Sequence, residues 1–194
     1  MPPAEAAADT RRLFFALWPD AAARRALAGL LDGEAPQTGR RVPEDNLHLT
    51  LAFVGNVTTA QRTCMEAAAA TVEAAPFTVS LERLGYWPRP RVVWAGATAT
   101  PAALTELVAR LNARLSGCGY EPERRPYQAH VTLSRKAQAA PRRRAIAPIV
   151  WPAEDFCLVE SASGDAGSIY RVLARWPLRS AAATGACAAP PGTV

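Results

Sequence analysis

Two short segments of this chain read almost alike, and between them they hold its only two histidines. The first is Asn46-Leu47-His48-Leu49-Thr50-Leu51-Ala52-Phe53, and the second is Ala129-His130-Val131-Thr132-Leu133-Ser134-Arg135. Each places an aliphatic residue after His, then Thr, then Leu. In a β-strand, residues i and i+2 share a face. His48 and Thr50 therefore share one face, with Leu49 and Leu51 on the other; His130 and Thr132 repeat this against Val131 and Leu133. The apolar face enters a core, and the polar face presents an imidazole beside a hydroxyl. Thr fills 14 of 194 positions, so both histidines meet one at i+2 with a chance of about 0.005. One such His reads best as a satisfied residue on a half-buried strand. A matched pair supplies the acid and the base that proton-transfer catalysis needs.

The remaining punctuation divides the chain into alternating elements. The apolar run 13–17 predicts a buried strand stopped by Pro19, and Asp20 caps a helix through about residue 31 that Gly33 ends. Residues 34–45 read as a polar loop. Thr58 with Gln61 forms a capping-box pattern for a second helix ending near residue 74. Phe77, Val79 and Leu81 alternate as a strand, 85–90 reads as a turn, and 91–98 as the returning strand. Pro101 opens a third helix as its first helical residue, with Leu104, Leu107, Val108, Leu111 and Leu115 at helical spacing. Residues 136–148, with Pro141, Pro148 and the run Arg142-Arg143-Arg144, read as a solvated basic loop. Strands are expected near 156–161 and 169–176, joined across Gly164 and Gly167. Two halves with one His strand each, 82 residues apart in His position, suggest an internal duplication. The expected organisation is a loose N-terminus at 1–10, one bilobal domain at 11–179 and a low-complexity, disordered tail at 180–194.

Composition narrows the partners. A hydrophobic content of 49% supports a real core, and the net charge of +5, carried mainly by Arg, fits an anionic partner or simple solubility about equally well. The four cysteines, Cys64, Cys118, Cys157 and Cys187, form no CxxC pair and no metal-ligand spacing. They are read as reduced thiols of a cytoplasmic protein. No secretory signal and no membrane-length apolar run is visible, so no membrane partner is expected.

Two imidazoles on opposite sides of a phosphorus atom can carry an in-line displacement without a metal. One deprotonates the attacking water or hydroxyl, and the other protonates the departing oxygen. The two Thr hydroxyls can donate to the non-bridging oxygens. Arg135 is the candidate cation. It lies five residues after His130, so strict alternation turns it away; it must sit past the strand end or after a bulge to reach the groove.

These residues resemble the two-histidine phosphoesterase superfamily, marked by paired HxTx motifs, and within it the RNA 2′,3′-cyclic phosphodiesterases, also known as 2′-5′ RNA ligases. The resemblance covers roughly 11–178 and includes Arg12-Leu13-Phe14-Phe15-Ala16-Leu17, Arg91-Val92-Val93-Trp94 and Arg125-Pro126-Tyr127 beside the two motifs. It implies an α+β, bilobal fold: two antiparallel sheets with outer helices around a central groove. It implies hydrolysis of RNA or nucleoside 2′,3′-cyclic phosphates to 2′-phosphates, by a monomer with no cofactor and no metal. By position, His48 would protonate O3′ and His130 would activate water. Thr50, Thr132 and Arg135 would hold the phosphate, and Phe53 would stack on the base, core packing being its alternative. Ala129 departs from the Pro that often precedes the second His of this family. Tyr86 and Trp87 fit the groove rim or the core equally.

Three other readings remain. A 2′-5′ ligase runs the same chemistry backwards, with a 5′-hydroxyl in place of water. A non-catalytic RNA-binding module should have lost a His or Thr, yet all four are present. A metallophosphodiesterase needs clustered ligands that two distant histidines do not supply.

Overall fold

The computed structural model describes residues 10–32, 39–142, 144–164 and 167–180. Strand β1 (Arg11–Leu17) is followed by helix α1 (Ala21–Gly29), the two-residue strand β2 (Arg40–Arg41) and strand β3 (Leu49–Val57). Helix α2 (Thr59–Ala69), strands β4 (Phe77–Trp87) and β5 (Val92–Gly96), helix α3 (Ala102–Ser116) and strand β6 (His130–Arg135) come next. Strands β7 (Ala145–Ala153), β8 (Asp155–Gly164) and β9 (Gly167–Pro177) complete the order. Every strand pairing is antiparallel.

The strands form two walls. One is β3-β1-β8-β9, the other is β7-β4-β5-β6 with β2 beside β6. A single register pair, Leu49 with Val131, joins β3 to β6 and makes the two walls one continuous sheet. The architecture is α+β as expected, and its antiparallel strands form one nine-stranded sheet whose two halves meet at this seam. We call them lobe 1 and lobe 2.

Local chemistry sets the helix ends. The Asp20 carboxylate accepts from Ala23 N at 2.8 Å, and Thr58 and Gln61 form the full capping box. Pro101 stands at the N-cap of α3 rather than inside it, and α2 ends five residues before the expected point. In α3 the five apolar side chains at helical spacing are all buried. Each fully buried Leu among them contributes about 1.5–3 kcal/mol. One core runs under both walls, from Leu13, Phe15 and Leu17 through Leu49 and Val131 to Val79, Leu81 and Trp151. Helix α1 packs against β7 of the opposite lobe and α3 touches β3, so the helices lace the two walls together from behind.

Three expectations are corrected. Residues 145–148, read as the end of a loop, belong to β7 (Ala145–Ala153). β7 is an edge strand paired only with β4, which is where Pro148 and Pro152 can sit without removing an inner ladder bond. Gly85-Tyr86-Trp87 belongs to β4, and the turn is confined to 88–91. A Cβ at Gly85 would overlap the Trp94 ring, so glycine is needed in the strand for that indole to lie across it. Finally, Cys64 and Cys118 form a disulfide between the start-side turns of α2 and the segment after α3, Cα atoms 5.8 Å apart. The reading of all cysteines as reduced thiols fails here, and with it the argument from cysteine usage for a reducing compartment. Cys157 is a free, buried thiol, and burial pushes it up to about 12. Cys187, Gly33, Arg143, residues 1–9 of the N-terminus and 181–194 of the tail lie outside the described residues.

Among the described residues, no helix is long and apolar enough to cross a membrane.

Candidate active site

Both histidines stand where their lobes meet. His48 immediately precedes β3, and His130 opens β6. Each ring is held in the same way. The carbonyl of Asn46 lies 2.7 Å from His48 Nδ1, and that of Gln128 lies 2.8 Å from His130 Nδ1. A carbonyl can only accept, so each Nδ1 carries its proton and donates. The Nε2 of each neutral ring is thereby left as the nitrogen that can take or give a proton.

The two surroundings differ. His48 sits among Phe14 at 4.6 Å, Tyr170 edge-on at 5.2 Å and Trp18 stacked at 5.5 Å. These rings, with Ala16, Cys157 and Val159, form a small apolar cluster on the groove side of lobe 1. His130 has the edge of Trp87 at 4.6 Å. Burial lowers the His48 pKa from 6.5 to about 4, helped by the charge of Arg135 and by His130. Burial also lowers His130, with Arg135 again contributing. Both imidazoles are therefore neutral bases in the free site. Tyr127, from the approach to β6, donates its hydroxyl to the Thr50 carbonyl at 2.9 Å and ties the two motifs together. Burial raises its phenol above the usual range.

The strands then repeat a second device. In β6, Ser134 pairs with Val93 and Thr132 with Trp94, so Leu133 is an extra residue in a bulge. In β3, Thr50 pairs with Ala16 and Ala52 with Phe15, so Leu51 is the extra residue. A bulge of one residue reverses the alternation beyond it. Leu133 and Ser134 are consequently both buried, as are Leu51 and Ala52. Arg135 returns to the face of Thr132, and Phe53 to the face of Thr50. The bulge that parity demanded for Arg135 is present, and its charge reaches both imidazoles. The core-packing alternative for Phe53 is excluded: the ring is 51% exposed and carries the Arg12 guanidinium 4.9 Å from its centroid.

Sequence reasoning missed the wall around the motifs. Phe14 lay in a run read only as a buried strand, Trp18 just past its end, and Tyr170 in a distant strand. Trp87 resolves to the groove, and Tyr86 instead donates its hydroxyl to the Ala137 carbonyl at 3.1 Å. A cavity of about 200 Å³ adjoins His130, lined by Arg83, Trp87, Trp94, Thr98, Thr100 and Gln128 among others. The buried Trp94 Nε1 has no acceptor among the described residues. Among those residues, no three His, Cys, Asp or Glu side chains cluster as metal ligands.

The sequence profile of the 2′-5′ RNA ligase superfamily matches residues 15–165. The chain is 32% identical over 188 residues to the RNA 2′,3′-cyclic phosphodiesterase of Thermus thermophilus, covering 87% of this chain and 90% of that protein. It is 38% identical over 105 residues to the protein of the same name from Escherichia coli; that match spans 54% of this chain and 60% of the relative. The crystal structure of E. coli LigT complexed with 3′-AMP superposes with a TM-score of 0.82 at 32% identity, over 88% of this chain and 99% of that one.

Proposed function

The chain belongs to the 2′-5′ RNA ligase superfamily, and from that membership and the site's geometry we propose that it is an RNA 2′,3′-cyclic phosphodiesterase. It hydrolyses RNA ends and nucleoside 2′,3′-cyclic phosphates to 2′-phosphates through its two HxTx motifs, without a metal. The observation that carries this reading is the matched pair of imidazoles. Each has Nδ1–H donated to the carbonyl two residues upstream, so both Nε2 atoms are free for proton transfer.

The cyclic phosphate sits between the two rings. His130 Nε2 takes a proton from water as the water oxygen bonds to phosphorus. The P–O3′ bond breaks, and His48 Nε2 delivers a proton to O3′, leaving a 3′-hydroxyl and a 2′-phosphate. Thr50 and Thr132 hydroxyls donate to the non-bridging oxygens. Arg135 offsets the charge of the phosphoryl group. Since His48 is neutral in the free site, it takes up a proton from solvent as the substrate binds: the anionic phosphodiester opposes Arg135 and raises the His48 imidazole. Phe53 receives the terminal base, a contact worth about 1–3 kcal/mol. The chain works as a monomer.

The test is incubation of the purified protein with excess chelator and either a nucleoside 2′,3′-cyclic monophosphate or a short RNA with a cyclic end. Formation of a 2′-phosphate by wild type, and its near-complete loss in His48→Ala and His130→Ala, is expected, since each proton transfer is worth about 10²–10⁴-fold. A 3′-phosphate product overturns the assignment of O3′ to His48. Abolition by chelator overturns the metal-free mechanism.

A further inference from the structure

The charge of this chain is divided unevenly along its sequence. Residues 83–105 and 124–153, which supply most of lobe 2, hold ten basic side chains and no acidic one. The remainder of the chain holds twelve basic and seventeen acidic side chains. The net positive charge is therefore concentrated in these two segments.

Part of this charge is gathered at the Arg135 end of the groove. Arg40 of β2 and Arg135 of β6 are direct cross-strand partners, and Arg135 is level with Val92 on its other side. Like charges placed opposite each other in a sheet repel. Arg91 precedes Val92, and its carbonyl accepts from Ala137 N at 2.9 Å, which brings the β4–β5 turn against the residue after Lys136. Arg91 and Lys136 are both in the left-handed region, at φ 55° and 59°, where non-glycine residues are uncommon. All five side chains of this group, Arg40, Arg89, Arg91, Arg135 and Lys136, are exposed. Arg89, Arg91, Arg135 and Lys136 form no ion pair among the described residues. Trp87, at the base of the same turn, adds an aromatic ring beside His130.

We propose that the RNA strand leading to the cyclic end leaves the groove over lobe 2, its phosphates following the track of Arg40, Arg135, Lys136, Arg91 and Arg89. This rests on the function proposed above and extends it: the preferred substrate is an oligonucleotide rather than a mononucleotide. A cationic row with an interleaved aromatic is the arrangement that holds single-stranded nucleic acid. It is continuous with Arg135, whose charge already reaches both imidazoles.

The test is a triple variant, Arg89→Gln/Arg91→Asn/Lys136→Asn. Asn tolerates the left-handed conformation, so the turn is preserved. The expected result is a KM raised roughly tenfold for a ten-nucleotide RNA with a cyclic end, with nucleoside 2′,3′-cyclic monophosphate kinetics unchanged. Fluorescence anisotropy of a labelled RNA ending in a 2′-phosphate reads the same surface without turnover. There the slope of log affinity against log salt should fall by about 2, at about 0.7 per lost phosphate contact. Equal effects on both substrates, an unchanged salt slope, or wild-type binding of polyglutamate as tight as RNA each overturn the track. If wild type turns over neither substrate, the proposed activity fails, and the anisotropy comparison alone decides the track.

Discussion

His48 makes a prediction that can be worked to a number. In an unfolded chain its imidazole takes up a proton near pH 6.5, whereas in the folded site burial delays this to about 4. Between those values the unfolded state binds the proton and the folded state does not. The folded pKa is depressed, so this contribution to stability is fully present above pH 6.5 and drains away as pH falls toward 4. Each tenfold in proton affinity is about 1.4 kcal/mol, so the whole window is worth about 3 kcal/mol, of which about 2.5 kcal/mol is spent by pH 4.5. Other groups titrate in the same range, so the measurement is a double difference. Urea unfolding of wild type and His48→Asn is followed at pH 7.5 and pH 4.5. Asn keeps an amide N–H that can reach the Asn46 carbonyl, but it cannot be protonated. Wild type should lose about 2.5 kcal/mol more than the variant across this interval. Equal losses would refute the reasoning. They would mean that His48 titrates as it does in water, and that the rings of Phe14, Trp18 and Tyr170 do not desolvate it.

Both imidazoles are lowered, so kcat/KM, which reports the free enzyme, should peak below pH 6.5, with kcat displaced upward by the bound anion; a kcat/KM maximum above pH 7.5 counts against this. Arg135→Ala removes a charge that depresses both rings. It should raise KM for any cyclic phosphate and also move the kcat/KM maximum to higher pH, a shift that loss of phosphate binding alone does not produce. Gly85→Ala drives a methyl group into the Trp94 ring and should destabilise the fold by about 1–3 kcal/mol in urea unfolding. The Cys64–Cys118 bond closes a loop of 54 residues, so Cys64→Ser/Cys118→Ser should lower stability by up to about 4 kcal/mol, with reductant producing a similar loss in wild type and none in the variant.

What could be read in advance was whatever depends on local chemistry. The capping residues Asp20, Thr58 and Gln61 act on backbone groups within one turn, and the leucines of α3 declare their face by spacing. The HxTL pattern gave the shared face of each His and Thr, and counting parity to Arg135 already required an interruption in β6. The same count from His48 to Phe53 requires the matching bulge at Leu51; without that count Phe53 is placed against a base by resemblance alone, with core packing as its alternative. The unread features depend on distant partners. Phe14 and Trp18 look like any buried strand until His48 is brought across from β3. Cys64 and Cys118 reveal their proximity only once α2 and α3 pack. β7 was hidden by its prolines, because edge position is a property of the sheet rather than of the segment.

The seam between the walls has a further consequence. One residue pair, Leu49 with Val131, is all the ladder that joins β3 to β6, and both side chains are fully buried. Backbone hydrogen bonding therefore does little to fix the angle at which the walls open. The angle then depends on the bulk of the floor beneath, where Leu49, Leu51, Val131 and Leu133 belong to one buried core. These side chains act as shims under the two jaws of a vice. A methylene added or removed among them alters the span between the two Nε2 atoms while touching neither. The reach of the acid–base pair is thus gauged by aliphatic volume, in residues that no inventory of polar groups would count as part of the site.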